Sequence, residues 1–570
     1  MIAVMISFFY IAAVCLCIGS GILKALDSRI DIGHVGLTGR TVCGIVALTV
    51  FSGWISIFSR IGILVGITTL VLAVFGAYYS RKEITEILKT LRSDLSAADI
   101  IVGIGGILLI AYATSRGDFH TDTGIYHAAA IRLYEEYGSV KGIANLQLHY
   151  GYDSSYLGFA SLFTFSRILP NALHTTTGFL MCLFMLDALY HLRDFRTHSV
   201  HYSDAARISI LLYIFMNLTG AMSPATDYGT MLMTGYFLCA WLTVAEREYS
   251  RKEGTAENHT ALYALLSVYA VFLVTMKLSA AMCVTVAVLP LIRLIRRKAY
   301  SHIGVFLGLG LFSFLFYPIR NIIQTGWLFY PFEAIDLFDV EWKVPVEYSL
   351  VDSAQIKVWG RCLFDVDKVD WPISQWLPIW WEAQEHYDQM LIYALFLGVF
   401  LIVLAAVVKR QVRPGFAVFY VMVAANLTVW FVTAPFIRYG LIFILIIPLL
   451  GAASAAEAVK DRLKRVSGYV MIMTSILIAV CFAARIDHYL MDDLVFVKHH
   501  LAENYYILQK PFDDALMDVE YIGEAGIPVY YTANDEEKNS YYYSPSTCYY
   551  MMLERTEPIG NTVKDGFRPK

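Results

Sequence analysis

The sequence predicts an all-α polytopic membrane protein of about 14 transmembrane helices, with a small β-leaning C-terminal segment. Three observations carry this expectation. The 570-residue chain is 57% hydrophobic and only 16% charged, whereas soluble domains are near a quarter charged. Its mean hydropathy is +0.55. Apolar runs close to the roughly 20 residues needed to cross a bilayer core recur from residue 1 to about 480, with short polar gaps between them.

By that spacing, spans are expected near 3–24, 42–58, 61–79, 98–115, 172–192, 206–221, 227–244 and 260–276. The remainder fall near 278–293, 302–317, 389–408, 414–432, 438–456 and 467–485. Short stretches rich in Lys and Arg at 81–92, 193–207, 247–252, 293–298, 409–413 and 460–465 belong on the cytoplasmic side. All six reach that side if 155–168 does not cross, but packs on or dips into the outer face. Both termini are then extracytoplasmic, as are the loops 116–171 and 318–388. The expected organisation is N-terminal helices over 1–97, a core over 98–485 and a small extracytoplasmic part over 486–570. In that last part, a Tyr-rich stretch and the pattern IPVYY at 527–531 lean toward β. The N-terminal run has no basic start and no small-residue cleavage site, so it reads as a retained helix.

Composition excludes several functions. A net charge of −4 with no dense basic face gives no footprint for nucleic acid. There is no Walker-type glycine loop, dinucleotide fingerprint, Cys-x-x-Cys pair or zinc-protease motif. Cys15, Cys17, Cys43, Cys182, Cys239, Cys283 and Cys481 lie in apolar runs. Cys362 and Cys548 read as solvent-side, which leaves a pair between them open.

Candidate chemistry gathers at the predicted outer face. The motif GDFHTDTGIYH at 117–127 follows the fourth span and leads into an amphipathic stretch ending at Gly138, the pattern of a helix lying on a membrane surface. Asp118, His120 and Asp122 offer a general base or part of a divalent-cation site. Helix capping by Asp122 or Thr121 would account for one acidic residue, not for two with a histidine between them. HYGYDSS at 149–155 adds Asp153, where Asp153 or Ser154 also suits a cap. SPATD at 223–227 sets Asp227 at a helix start, where the dipole favours a carboxylate. Lys277, Arg320 and Arg438 lie at outer helix ends, against the usual charge bias. Arginine makes bidentate contacts to phosphate and lysine a compact charge beside them, while snorkelling or pairing with the acids is the structural alternative. Trp327, Trp342, Trp359, Trp371, Trp376, Trp380 and Trp381 crowd the second loop, suited either to sugar faces or to the membrane interface.

These residues together resemble the GT-C superfamily of membrane glycosyltransferases, which includes protein O-mannosyltransferases and the aminoarabinose transferase of lipid A. Members carry an acidic motif in the first large external loop beside a membrane-parallel helix, the form of 117–138. YPIRN at 317–321, with Gly326 and Tyr330-Pro331, is similar to a Pro-x-x-Arg-Asn stretch in bacterial members. The likeness covers roughly 98–456, and the acidic loop here follows three spans more than is usual.

The resemblance implies transfer of a sugar from a polyprenyl-phosphate donor to a glycan, lipid or protein acceptor at the outer face of the plasma membrane. Asp118 or Asp122 would act as base, supported by His120, and Asp227 would stabilise the oxocarbenium-like state. Arg320 and Arg438 would stabilise the leaving phosphate. Tyr126, His127, Asp153, Lys277 and Asn321 complete the candidate binding positions, and a divalent cation stays open. A polysaccharide polymerase or ligase, and a transporter or flippase for a lipid-linked or anionic solute, are the alternatives.

Overall fold

The computed structural model describes residues 1–192, 201–249, 259–409, 413–459, 505–512, 514–534 and 537–570. The span expected at 467–485 and the basic loop at 460–465 lie outside them, as do parts of 193–207, 247–252 and 409–413.

The helices in chain order are α1 (Ile2–Ile30), α2 (Leu37–Phe58), α3 (Ile63–Tyr79), α4 (Arg81–Asp94), α5 (Ala97–Arg116), α6 (Ala128–Glu136) and α7 (Ser155–Ser161). Next come α8 (Thr176–Leu192), α9 (Tyr202–Met216), α10 (Thr226–Tyr249), α11 (Thr260–Met276), α12 (Val288–Arg296), α13 (Tyr300–Phe314) and α14 (Phe316–Thr325). Then follow α15 (Val346–Gly360), α16 (Ile373–Ala383), α17 (His386–Lys409), α18 (Pro414–Thr433), α19 (Ile437–Val459) and the short α20 (Tyr550–Glu554).

Among the described residues, nine helical segments are long and apolar enough to cross a membrane, or ten if α3 and α4, bent by 78°, count as one. Of the 14 expected, the span at 467–485 lies outside these residues, and the nine or ten are fewer than the rest. α8 is described over 17 residues, α11 has 17, and α9 has 15, or about 22 Å of rise. Local polar chemistry bounds α9 at its end and α8 at its start. The Asn217 side chain donates to Tyr213 O (2.9 Å) where α9 ends, and the chain passes into a 3₁₀ turn, Leu218–Met222. Before α8, Thr175 shares a 2.6 Å hydroxyl contact with Ser7 and His174 is held by Gln509. The basic stretch at 81–92 belongs to α4, which has no buried residue. α7 has seven residues, too few to cross, in keeping with the reading of 155–168 as non-spanning.

Small residues set the closest helix contacts, the usual solution where lipid removes the hydrophobic drive between helices. A Cβ on Gly44 of α2 would sit 1.9 Å from Cys15 O of α1, and one on Gly76 of α3 would sit 2.4 Å from Cys17 O. α1 is therefore flanked by two backbones at glycine distance.

The C-terminal part is a three-stranded sheet of β1 (Met517–Ile522), β2 (Ile527–Thr532) and β3 (Ser546–Thr547), plus a two-stranded pair of β4 (Thr556–Pro558) and β5 (Phe567–Pro569). β1 and β2 are antiparallel, with Val519 opposite Tyr530, and β3 runs parallel to β2. Among the described residues it has no core of its own. Ile527, Val529, Tyr541, Leu553 and Phe567 pack with Ala128, Ile131, Leu133, Val140 and Leu146 in one apolar cluster. As a result, α6 is enclosed, with Ala128 through Ile131, Leu133, Tyr134 and Glu135 buried, and does not lie on an open surface as its amphipathic pattern predicted. Glu135 is held there by Tyr541 Oη (2.8 Å), Ser166 Oγ (3.2 Å) and Thr164.

Cys362 and Cys548 are both free, and Cys548 is buried against this core, not solvent-side. Three of the seven loop tryptophans, Trp327, Trp376 and Trp380, are also buried, with Trp380 Nε1 donating to Pro435 O (2.9 Å).

The glycine seam gives a direct test. Gly44→Ala forces α1 and α2 apart and lowers stability by about 1–3 kcal/mol, the usual cost of overpacking. Gly66→Ala, on a side of α3 with nothing within 4 Å of the new Cβ, leaves the melting temperature in detergent unchanged or slightly raised.

Candidate functional site

The loop after α5 is stitched to the chain before α10. A Cβ on Gly117 would lie 2.2 Å from Thr219 O, so glycine is what lets these two backbones meet. The next N–H, of Asp118, donates to Thr219 O (2.9 Å), and His120 N–H donates to Ser223 Oγ (3.2 Å). Ser223 Oγ also contacts Thr123 Oγ1 (2.7 Å), which contacts His127 Nδ1 (3.1 Å), while Thr177 Oγ1 donates to Ser223 O (2.6 Å). These bonds hold His120 and Asp122 beside the N-terminus of α10.

Four chain segments converge there. Asp227 is the second residue of α10, Lys277 follows the last residue of α11, and Arg438 is the second residue of α19. Lys277 Nζ pairs with Asp227 Oδ1, and Arg438 Nε lies 3.7 Å from Asp227 Oδ2. Arg438 also reaches Asp122 Oδ2 (3.3 Å), Tyr439 Oη (3.1 Å) and His120 Nε2 (2.7 Å). The Lys277 ammonium sits 4.1 Å from the centre of the Tyr439 ring. Asp227 is innermost, with its side chain 6% exposed, while Asp122 at 27% and Arg438 at 35% remain open to solvent. An arginine at a helix N-terminus is opposed by the dipole, and the two carboxylates offset that opposition.

Contact geometry decides the state of His120. Arg438 has only donors, so its 2.7 Å contact needs a lone pair on Nε2. The proton of the neutral ring then sits on Nδ1, facing Asp122 Oδ2 at 3.6 Å. Asp122 N lies 3.1 Å from the same Nδ1, and it cannot donate to a protonated nitrogen. The charged guanidinium wins this competition. Burial first, and Arg438 next, hold the His120 pKa below its ordinary value, against the opposing pull of Asp122. Burial likewise holds His127 well below the usual histidine range. The cluster therefore combines two carboxylates, two fixed cations and a neutral imidazole.

Other predicted positions fall elsewhere. Asp118 is exposed and its backbone alone is tied to the site, so the Asp118, His120, Asp122 cation site does not assemble. Among the described residues, no three His, Cys, Asp or Glu side chains group so as to hold a metal ion. Asp122 is not a helix cap: it precedes a π-helical turn, Thr123–His127, and spends its carboxylate on Arg438. Ser154 caps α7, and Asp153 pairs with Arg320.

Arg320 and Asp153 have side chains 0% and 1% exposed, packed with Tyr134 and Gln324. Asn321 Oδ1 accepts from Tyr330 N (2.8 Å). Arg320 ties α14 to Tyr134 and Asp153, Asn321 ties it to Tyr330, and the buried pair offers no open face to a substrate, so the expectation of a phosphate site at Arg320 is corrected to a structural ion pair. Tyr126 and His127 stand beside the open cluster, with ring centres 4.2 Å apart. The sequence reading missed Ser223, Thr123 and Tyr439, although each lies inside or next to a motif it singled out.

Two outcomes follow from this arrangement. Asp153→Asn or Arg320→Met leaves a buried charge without its partner and lowers stability by about 3–5 kcal/mol in thermal unfolding, more than the double variant does. A histidine whose folded pKa is depressed contributes stability that is complete above its unfolded value, about 6.5, and is lost as pH falls below it. Melting temperature should therefore drop from pH 7.5 to pH 5.5, and His120→Gln should shrink that drop.

No curated protein and no solved structure matches this chain. A family model described as a domain of unknown function, DUF8201, matches residues 1–445, a span that holds every residue of the cluster, and the chain belongs to that family.

Proposed function

We propose that the chain is a membrane glycosyltransferase that moves a sugar from a polyprenyl-phosphate donor to an acceptor hydroxyl. The observation that carries the reading is the meeting of Asp122, His120, Asp227, Lys277 and Arg438 in one half-open cluster at one end of the helix bundle. In the reaction, the acceptor oxygen bonds to the anomeric carbon and its proton passes to Asp122, the most accessible carboxylate of the cluster. The bond from that carbon to the phosphate oxygen breaks, and its electron pair leaves with the phosphate. Arg438 and Lys277 are fixed cations beside this developing charge and need no reorganisation to meet it. Asp227, held between them, is suited to the oxocarbenium-like state. Of the two expected bases this reading keeps Asp122 and not Asp118, and of the two expected arginines it keeps Arg438 and not Arg320.

One observation favours a second reading, translocation of an anionic solute. Lys277 is followed by ten residues of 3₁₀ helix, Leu278–Ala287, within an apolar segment that runs to Arg296. Runs of that length are uncommon, and broken helices beside charged groups are a feature of transporters.

Purified protein in nanodiscs, offered radiolabelled polyprenyl-phosphate sugars, separates the two. The transferase reading expects donor consumption by wild type, with a loss of at least about a hundredfold in Asp122→Asn and Arg438→Ala. If no donor is consumed, the reading fails and flux assays in proteoliposomes take its place.

A further inference from the structure

Beyond the charged cluster, the loop at 149–152 and the C-terminal segment bring aromatic rings together. Tyr126 and His149 stack at 5.3 Å and 21°, and His149 stacks on Tyr549 at 6.0 Å and 26°. Tyr152 stands edge-on to both Tyr126 (5.8 Å, 80°) and His149 (5.4 Å, 89°). All four remain partly exposed, unlike the enclosed aromatics of the neighbouring core such as Tyr150 and Tyr541. Two imidazole nitrogens here lack a partner within the protein: Nε2 of His127, which is 1% exposed, and Nδ1 of His149. Enclosed polar atoms left in this way cost stability unless a ligand or water meets them.

We propose that this stack is a saccharide-binding subsite, so that the acceptor in the transfer is a glycan. The inference rests on the transferase reading and names its substrate class. Flat rings with polar edges suit the C–H face of a pyranose, and neutral imidazoles donate and accept as hydroxyls do. Tyr152 Oη donates to Asp352 Oδ1 (2.8 Å), which sets a carboxylate against the stack and favours an uncharged polyol there over a phosphate. The subsite adjoins the reaction centre. Tyr126 follows Asp122 by four residues, and His127 contacts Thr123, which contacts the Ser223 hydroxyl that holds His120. Tyr549 brings the C-terminal segment into the site, which gives that segment a part in acceptor recognition.

The test is binding, independent of turnover. Full-length protein in nanodiscs is titrated with maltohexaose and chitohexaose, and with a Ser/Thr-rich peptide, by saturation-transfer NMR. Saturable binding of an oligosaccharide is expected, weakened about tenfold by His149→Ala and by Tyr549→Leu, which keeps apolar volume but removes the ring face. Oligosaccharide binding that is absent or indifferent to His149→Ala and Tyr549→Leu, or saturable binding of the peptide alone, overturns the proposal. Donor consumption with no such binding would sink the subsite and keep the transferase; saccharide binding with no donor consumption would do the reverse.

Discussion

Asp227 lies between Lys277 and Arg438, and this contact gathers the ends of three helices at one point. A carboxylate with a side chain only 6% exposed is costly in an apolar bundle unless countercharges stand beside it. Two such countercharges come from the ends of α11 and α19. The cations at the ends of α11 and α19 therefore share the Asp227 carboxylate of α10, which in turn depends on both. The loop bearing His120 and Asp122 completes the arrangement by offering Arg438 a second carboxylate and a lone pair.

The pair of Arg438 with Asp122 contrasts with the pair Arg320 and Asp153, made of the same residue types. Both are ion pairs between a helix and the first large loop, but one is sealed and the other open. A sealed pair gains its strength from the absence of water and so cannot exchange its partner for a ligand. The open cluster keeps Arg438 and Asp122 at the surface, where a phosphate or a hydroxyl can reach them. Exposure, not residue type, separates the strut from the site.

The C-terminal segment is the second organising element. Its apolar residues complete a core that the first loop cannot close alone, and its polar groups satisfy that loop's backbone and side chains. Asn539 N donates to Gly124 O (2.7 Å), Tyr150 Oη to Ser546 O (2.7 Å), and Asn539 Nδ2 to Gln147 Oε1 (2.9 Å). The π-helical turn that carries Tyr126 and His127 is thereby held from both sides.

Composition and apolar run length determined the membrane-spanning helical class of this protein, because the need to satisfy every backbone group in lipid leaves few other solutions. The motifs at 117–127, 223–227 and 434–439 were legible as chemistry, since charges placed at helix ends must have partners or a task. Which charges share a site was decided only by the tertiary structure. Asp118 and Asp122 are four residues apart and part company, and Arg320 and Arg438 look alike in sequence. Enclosure of α6, the pairing of Arg320 with Asp153, and the reach of Tyr549 to His149 depend on contacts across 130–550, which local patterns do not encode. Sequence periodicity reports whether a face must be covered; only packing decides what covers it.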